Sequence, residues 1–116
     1  ASGPVFGAWL GAHLVGCVGL AQRDKRKLRH KAVLWGMFVR PDSRGSGIGK
    51  RLLDAALAYA GTRCEEVLLT VVQGNDAACR LYTSAGFEQF GCEPDVIKLG
   101  DKYYSEILMR RAVGHR

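Results

Sequence analysis

No apolar run in this 116-residue sequence is long enough to cross a membrane; the longest are short and broken by Gly or charge. Acidic residues are scarce, 11 against 17 Lys plus Arg, giving a net charge of +6 and room for a polyanionic partner. Paired-cysteine motifs are missing. Cys17, Cys64, Cys79 and Cys92 form no CxxC, and no His stands at metal-ligand spacing from them, which argues against a disulfide framework or a metal site. Buried, reduced thiols are expected, as in a reducing compartment such as the cytoplasm. No basic-then-apolar leader precedes a small-residue cleavage site, so nothing supports secretion. What is present, 47% hydrophobic and 24% charged residues, is enough for a buried core in one modest domain.

The elements follow from periodicity and punctuation. Val5 to Leu10 and Leu14 to Gln22 are β-prone runs on either side of Gly11-Ala12-His13, and they read as an antiparallel hairpin. A charged turn, Arg23 to Lys31, leads to a third strand over Ala32 to Val39, which Pro41 closes. Ile48, Leu52, Leu53, Ala56, Leu57 and Ala60 recur at helical spacing, with Gly61 at the expected C-terminal cap. Val67 to Val72 reads as a strand covered on both faces. Asn75 is placed to cap a second helix over Asp76 to Ala85, which Gly86 ends. Phe87 to Cys92 and Tyr103 to Met109 follow as two strands joined by a loop holding Pro94 and Gly100. The class is α/β (α+β) with order β-β-β-α-β-α-β-β: antiparallel strands first, then a helical crossover that makes strands three and four parallel.

Chemistry concentrates in Val39-Arg40-Pro41-Asp42-Ser43-Arg44-Gly45-Ser46-Gly47-Ile48-Gly49-Lys50. Between a strand and a helix, alternating glycines let backbone N–H groups converge where the helix dipole also favours an anion. Arg44 and Lys50 flank the turn with positive charge. It is not a P-loop, because Arg51 follows Lys50 where Ser or Thr is needed. Nor is it GxGxxG, which would need Gly at the position of Lys50.

Arg44-Gly45-Ser46-Gly47-Ile48-Gly49 resembles the acyl-CoA signature R/Q-x-x-G-x-G/A of the GNAT N-acetyltransferase superfamily. Downstream, Asn75 to Phe87 is similar to that family's N-x-x-A-x-x-L-Y-x-x-x-G-F segment, matching at Asn75, Ala78, Leu81, Tyr82, Gly86 and Phe87. Both motifs occur in order, and the resemblance covers about residues 5 to 110. It implies a GNAT-like mixed sheet over residues 1 to 116 with a splayed parallel pair, and acetyl-CoA as co-substrate without a metal. The pantetheine arm would lie along the backbone of Met37, Phe38 and Val39. The pyrophosphate would lie on Arg44 through Gly49, with Lys50 nearby; Asn75 and Ala78 would flank the arm. Tyr82 matches the position that donates a proton to the departing thiolate, with a core tyrosine as the plainer alternative. For Asn75 the alternative is a helix cap and nothing more.

The resemblance leaves the base open. The strand over Ala32 to Val39 holds no carboxylate where many members carry Glu, and His30 and Glu106 are weaker candidates. Trp9, Trp35, Tyr103 and Tyr104 are candidates for an acceptor pocket, or for ordinary packing. Family members usually carry a further strand and two helices ahead of Val5, so this is either a truncated chain or a short form with an open cleft. The first strand's free edge makes a homodimer the expected assembly. The favoured function is N-acetylation of a small-molecule or peptide amine, without nucleic acid or membrane. The alternatives are a non-catalytic acyl-CoA-binding module and a basic nucleic-acid-binding domain built on Arg23 to Lys31.

Overall fold

The computed structural model describes residues 3–22 and 26–114. Six strands and two helices occur in the expected order: β1 (Val5–Leu10), β2 (His13–Gln22), β3 (Lys31–Val39), α1 (Ile48–Gly61), β4 (Glu66–Val72), α2 (Asp76–Ser84), β5 (Glu88–Leu99) and β6 (Lys102–Ala112). The strands form one sheet in the spatial order β1-β2-β3-β4-β6-β5, antiparallel except for β3 and β4. Of the basic run, residues 23–25 lie outside the described residues, and Arg26–Leu28 form a short 3-10 turn.

The six apolar positions spaced for α1 are all buried, and they pack on Val18, Leu20, Ala32, Leu34, Val67 and Leu69 of the sheet. Removing a side chain such as Leu53 from water contributes about 1.5–3 kcal/mol. α2 adds Tyr82 to the same core, beside Phe87 and Met109.

Four expectations need correction. β4 is not covered on both faces: Val67, Leu69 and Val71 are buried, whereas Thr70 between them is exposed. Its alternation is that of a strand packed on one side, because both helices bury their apolar residues in one core. Gly61 is not a left-handed cap. It is the last residue of α1, and a Cβ there would come within 2.9 Å of the Val113 carbonyl oxygen, so its smallness serves a close approach. Pro94 is not in a loop either. β5 runs through it to Leu99, and the pairing with β6 is interrupted between Glu93 and Ile97, where Asp95 has φ 54°. β5 is the sheet's edge, so the missing N–H of Pro94 costs no ladder bond. Lastly, of the four free thiols only Cys64 is buried; Cys92 is exposed.

Candidate active site

β3 and β4 pair at Lys31↔Glu66, Ala32↔Val67 and Val33↔Leu68, and then part. The cause lies in β3. Gly36 adopts φ 65°, an extra residue enters between the β2 partners Cys17↔Phe38 and Gly19↔Trp35, and the strand bends. The extra residue also shifts the alternation. Ala32 and Leu34 face the core before it, and Met37 and Val39 pack against the core after it. From Leu34 to Val39, β3 stays bonded to β2 but has no β4 partner along its other edge.

The split holds a cavity of roughly 290 Å³ bordered by Leu34, Met37, Leu69, Val71, Asn75 and Tyr82. A second cavity, roughly 450 Å³, leads on between the helices; Met37, Asn75, Ala78 and Leu81 border both. Its far wall is the glycine turn, with Val39, Arg44, Gly45, Gly47, Gly49 and Lys50. Gly47 is the N-cap of α1 with φ 83°, and a Cβ there would meet no atom within 4 Å. The first N–H bonded within the helix is that of Arg51, donating to the Gly47 carbonyl at 3.1 Å. The N–H groups of Ile48, Gly49 and Lys50 therefore have no intrahelical acceptor. Turn and helix start together form an open, positively polarised cradle at one end of the groove.

Side chains hold the cradle in place. The Arg44 Nε–H donates to the Val39 carbonyl at 3.0 Å, fastening the turn to the end of β3. The Ser46 hydroxyl donates to the Ser43 carbonyl, and Lys50 pairs with Asp54 at 3.0 Å. Asn75 caps α2, its Oδ1 accepting from the Ala78 N–H at 3.3 Å, while it also borders both cavities. Asn75→Ala should cost about 1 kcal/mol of stability through the lost cap, measurable by urea denaturation; an unchanged midpoint would exclude the capping role.

Tyr82 is 7% exposed, borders the split cavity, and meets Phe87 edge-on at 5.9 Å. Burial pushes its hydroxyl above the usual 10.0, and negative charge on Cys79 acts in the same direction. The folded chain thus disfavours the ionised form. Stability owed to this group is complete below pH 10 and lost as pH rises from there through the higher folded value. Tyr82→Phe should remove that part of the alkaline loss. Parallel stability curves for the two proteins between about pH 8 and 11 would contradict it.

The acetyltransferase (GNAT) family description matches residues 1–87. The chain belongs to this family. The GNAT chain is 40% identical over 85 residues to the N-alpha-acetyltransferase RimI of Mycobacterium tuberculosis, covering 73% of this chain and 52% of that protein. A ribosomal-protein-alanine N-acetyltransferase from Brucella melitensis superposes with a TM-score of 0.86 at 26% identity, covering 95% of this chain and 68% of that one. A Salmonella typhimurium structure solved with its cofactor acetyl-CoA superposes at 0.89 and 20% identity, covering 98% and 66%. This GNAT chain spans between 15% and 52% of the length of the first curated relatives it matches.

Of the thirteen residues singled out in the GNAT sequence, the structure brings Met37, Val39, Arg44, Gly45, Gly47, Ile48, Gly49, Lys50, Asn75, Ala78 and Tyr82 to the two connected cavities. The side chains of Phe38 and Ser46 line neither. Phe38 alternates away from Met37 and Val39 and is 49% exposed, which leaves its backbone alone at the split. Trp35 borders the split, its indole filling the space over Gly19. Trp9 borders a different cavity, between β1 and α1, and Tyr103 and Tyr104 border neither of the two. His30 precedes the closed end of the β3–β4 pair, about 20 Å of strand from Gly36, so it is misplaced for a base. Glu106 lies on β6 opposite Val72 and outside both linings. No Asp, Glu or His among the described residues lines either cavity. Leu81 and Gly36 are among the lining residues to which the sequence reading gave no role at the site. Leu81 closes on Gly49, whose Cβ would come within 3.2 Å of it, and a lone Gly inside a strand run was the available sign of the bulge.

Proposed function

We propose that this GNAT domain transfers the acetyl group of acetyl-CoA to a primary amine by direct attack in a ternary complex. The observation that carries the reading is the continuity between the parted strands and the helix start. A groove with backbone hydrogen-bonding groups along one side ends in a cradle of free N–H groups, and this fits an extended arm bearing a diphosphate. Acetyl-CoA supplies the acyl group already activated as a thioester. The amides of Ile48 to Lys50 and the turn before them hold the diphosphate, with Arg44 and Lys50 adding charge. The backbone of Met37, Phe38 and Val39 pairs with the arm and presents N–H groups where negative charge develops on the carbonyl oxygen. Asn75 and Ala78 wall the arm. The Tyr82 hydroxyl, kept protonated by burial, is positioned to give its proton to the departing sulfur. With no carboxylate or imidazole among the described residues lining the groove, the amine sheds its proton to solvent.

The names of the relatives support an α-amine on a protein N-terminus as the first acceptor to try. Thiol release from acetyl-CoA across a panel of peptide and small-molecule amines tests the assignment. Amine-dependent release is the expected result. Binding of CoA without release for any amine would instead favour an acyl-CoA-binding module, the reading that the base-free groove supports. The unpaired edge of β1, with Val5, Trp9 and Leu10 exposed, supports association of two copies. A single-chain mass in sedimentation would count against it.

A further inference from the structure

The split between β3 and β4 opens on both faces of the sheet. Leu69, Val71 and Tyr82 line its cavity from the helix side, where all three belong to the core. Trp35, Thr70 and Val72 line the same cavity. Thr70 and Val72 alternate with Leu69 and Val71 along β4, and Trp35 follows the core residue Leu34 along β3. These three side chains therefore lie on the face away from the helices. The cradle joins the cavity through Ala78 and Leu81 of α2, so the cofactor arm arrives from the helix side and the outer mouth is left to the acceptor. Trp35 is the largest side chain at that mouth and is half-exposed. Its indole lies over Gly19, its partner on β2, where a Cβ would overlap the ring. On the far side of Gly19 comes Val5 of β1, also exposed. Among the described residues no charged side chain lines the cavity. An apolar shelf thus starts at the mouth of the split and runs across β2.

We propose that Trp35 selects the acceptor, favouring a primary amine that carries an apolar group, an aromatic ring above all, two carbons from its nitrogen. The inference rests on the acetyl-transfer reading above. The spacing follows from the sheet. The indole spreads from β3 over β2, one strand spacing of about 5 Å, and a nitrogen at the split reaches that shelf through two carbons. There the acceptor's apolar group leaves water against the exposed indole, and a ring gains stacking as well. Two sources share this chemistry: the first residue of a peptide, and a free amine. Trp35 touches the acceptor's carbon skeleton and none of the reacting atoms, so it determines specificity and takes no part in the acyl transfer.

Thiol release from acetyl-CoA is measured with two pairs of acceptors: one peptide beginning with Phe or with Ser, and phenethylamine against ethanolamine. The wild-type chain should favour the ring-bearing member of at least one pair by about tenfold or more in kcat/KM. A preference in the peptide pair alone assigns the shelf to a peptide's first residue, and one in the other pair alone to a free amine. Trp35→Ala should bring the favoured pair to within about threefold, chiefly by raising KM for the ring-bearing member, and Trp35→Phe should keep part of the preference. Coenzyme A affinity, by calorimetry, should stay within about twofold in both variants. Should circular dichroism show Trp35→Ala unfolded, Trp35→Leu carries the same expectation for the ring-bearing acceptors. Equal wild-type rates within both pairs, a preference that survives loss of the indole, or release only with other amines would overturn the inference and leave acetyl transfer standing. So would a loss of coenzyme A affinity as large as the loss of turnover, because Trp35 would then be holding the groove. Coenzyme A binding with no release for any amine removes the transfer reading, and this inference with it.

Discussion

Gly47→Val is expected to weaken coenzyme A binding by about 100-fold or more. At φ 83° the N-cap of α1 occupies the left-handed region, which a β-branched residue tolerates poorly. Space is not the obstacle, because a Cβ would meet nothing within 4 Å in the free chain. The backbone is. If Val relaxes toward negative φ, the plane that aims the Ile48 and Gly49 amides turns with it. If it does not, the isopropyl group stands in the mouth of the cradle. Hydrogen bonds to an anion contribute about 1.5–3 kcal/mol each, so losing two is worth at least two decades in affinity. The melting temperature should fall by several degrees as well, since the strain of about 1–2 kcal/mol exists without ligand. Calorimetry with coenzyme A gives the first effect and a thermal scan the second. Affinity that survives in a folded Gly47→Val chain would mean that the turn does not hold the diphosphate.

Tyr82→Phe should cut kcat by about 100-fold or more while changing coenzyme A affinity by less than about threefold. The substitution keeps the ring, its edge-on contact with Phe87 and its place in the core, and it deletes only the hydroxyl at the split cavity. A departing thiolate that no longer receives a proton raises the barrier without touching the groove that binds the arm. A loss confined to KM would instead assign Tyr82 to positioning, and unchanged turnover would remove it from the reaction. The raised affinity of the Tyr82 hydroxyl for its proton adds a second check. Its ionisation should impose no alkaline limb on kcat below pH 10.

Much of this was readable before any coordinates. α1 follows from apolar residues at 3.6-residue spacing, and α2 from the capping preference of Asn75 at its start and the left-handed Gly86, φ 94°, after its end. The cradle follows from alternating glycines between a strand and a helix. Where the reading failed, the missing information was long-range. Val67 to Val72 is apolar at nearly every position, so no alternation told how many of its faces would be covered. Pro94 breaks a ladder only if a neighbour needs its N–H, and that depends on which strand lies at the edge. Gly61 looked like a cap because its partner, the Val113 carbonyl, is 52 residues away in the chain. His30 sits close in sequence to the strand that opens, yet a strand is long enough to carry it to the wrong end.

The local conformations and the chemistry of the turn were thus set by neighbouring residues, because propensity, capping and left-handed glycines act over a few bonds. Where β3 and β4 part, which side chains look into the gap, and that Tyr82 is buried there with its proton held were settled by packing. One extra residue at Gly36 reverses the faces of everything after it, and only the partners across the sheet reveal that it is extra.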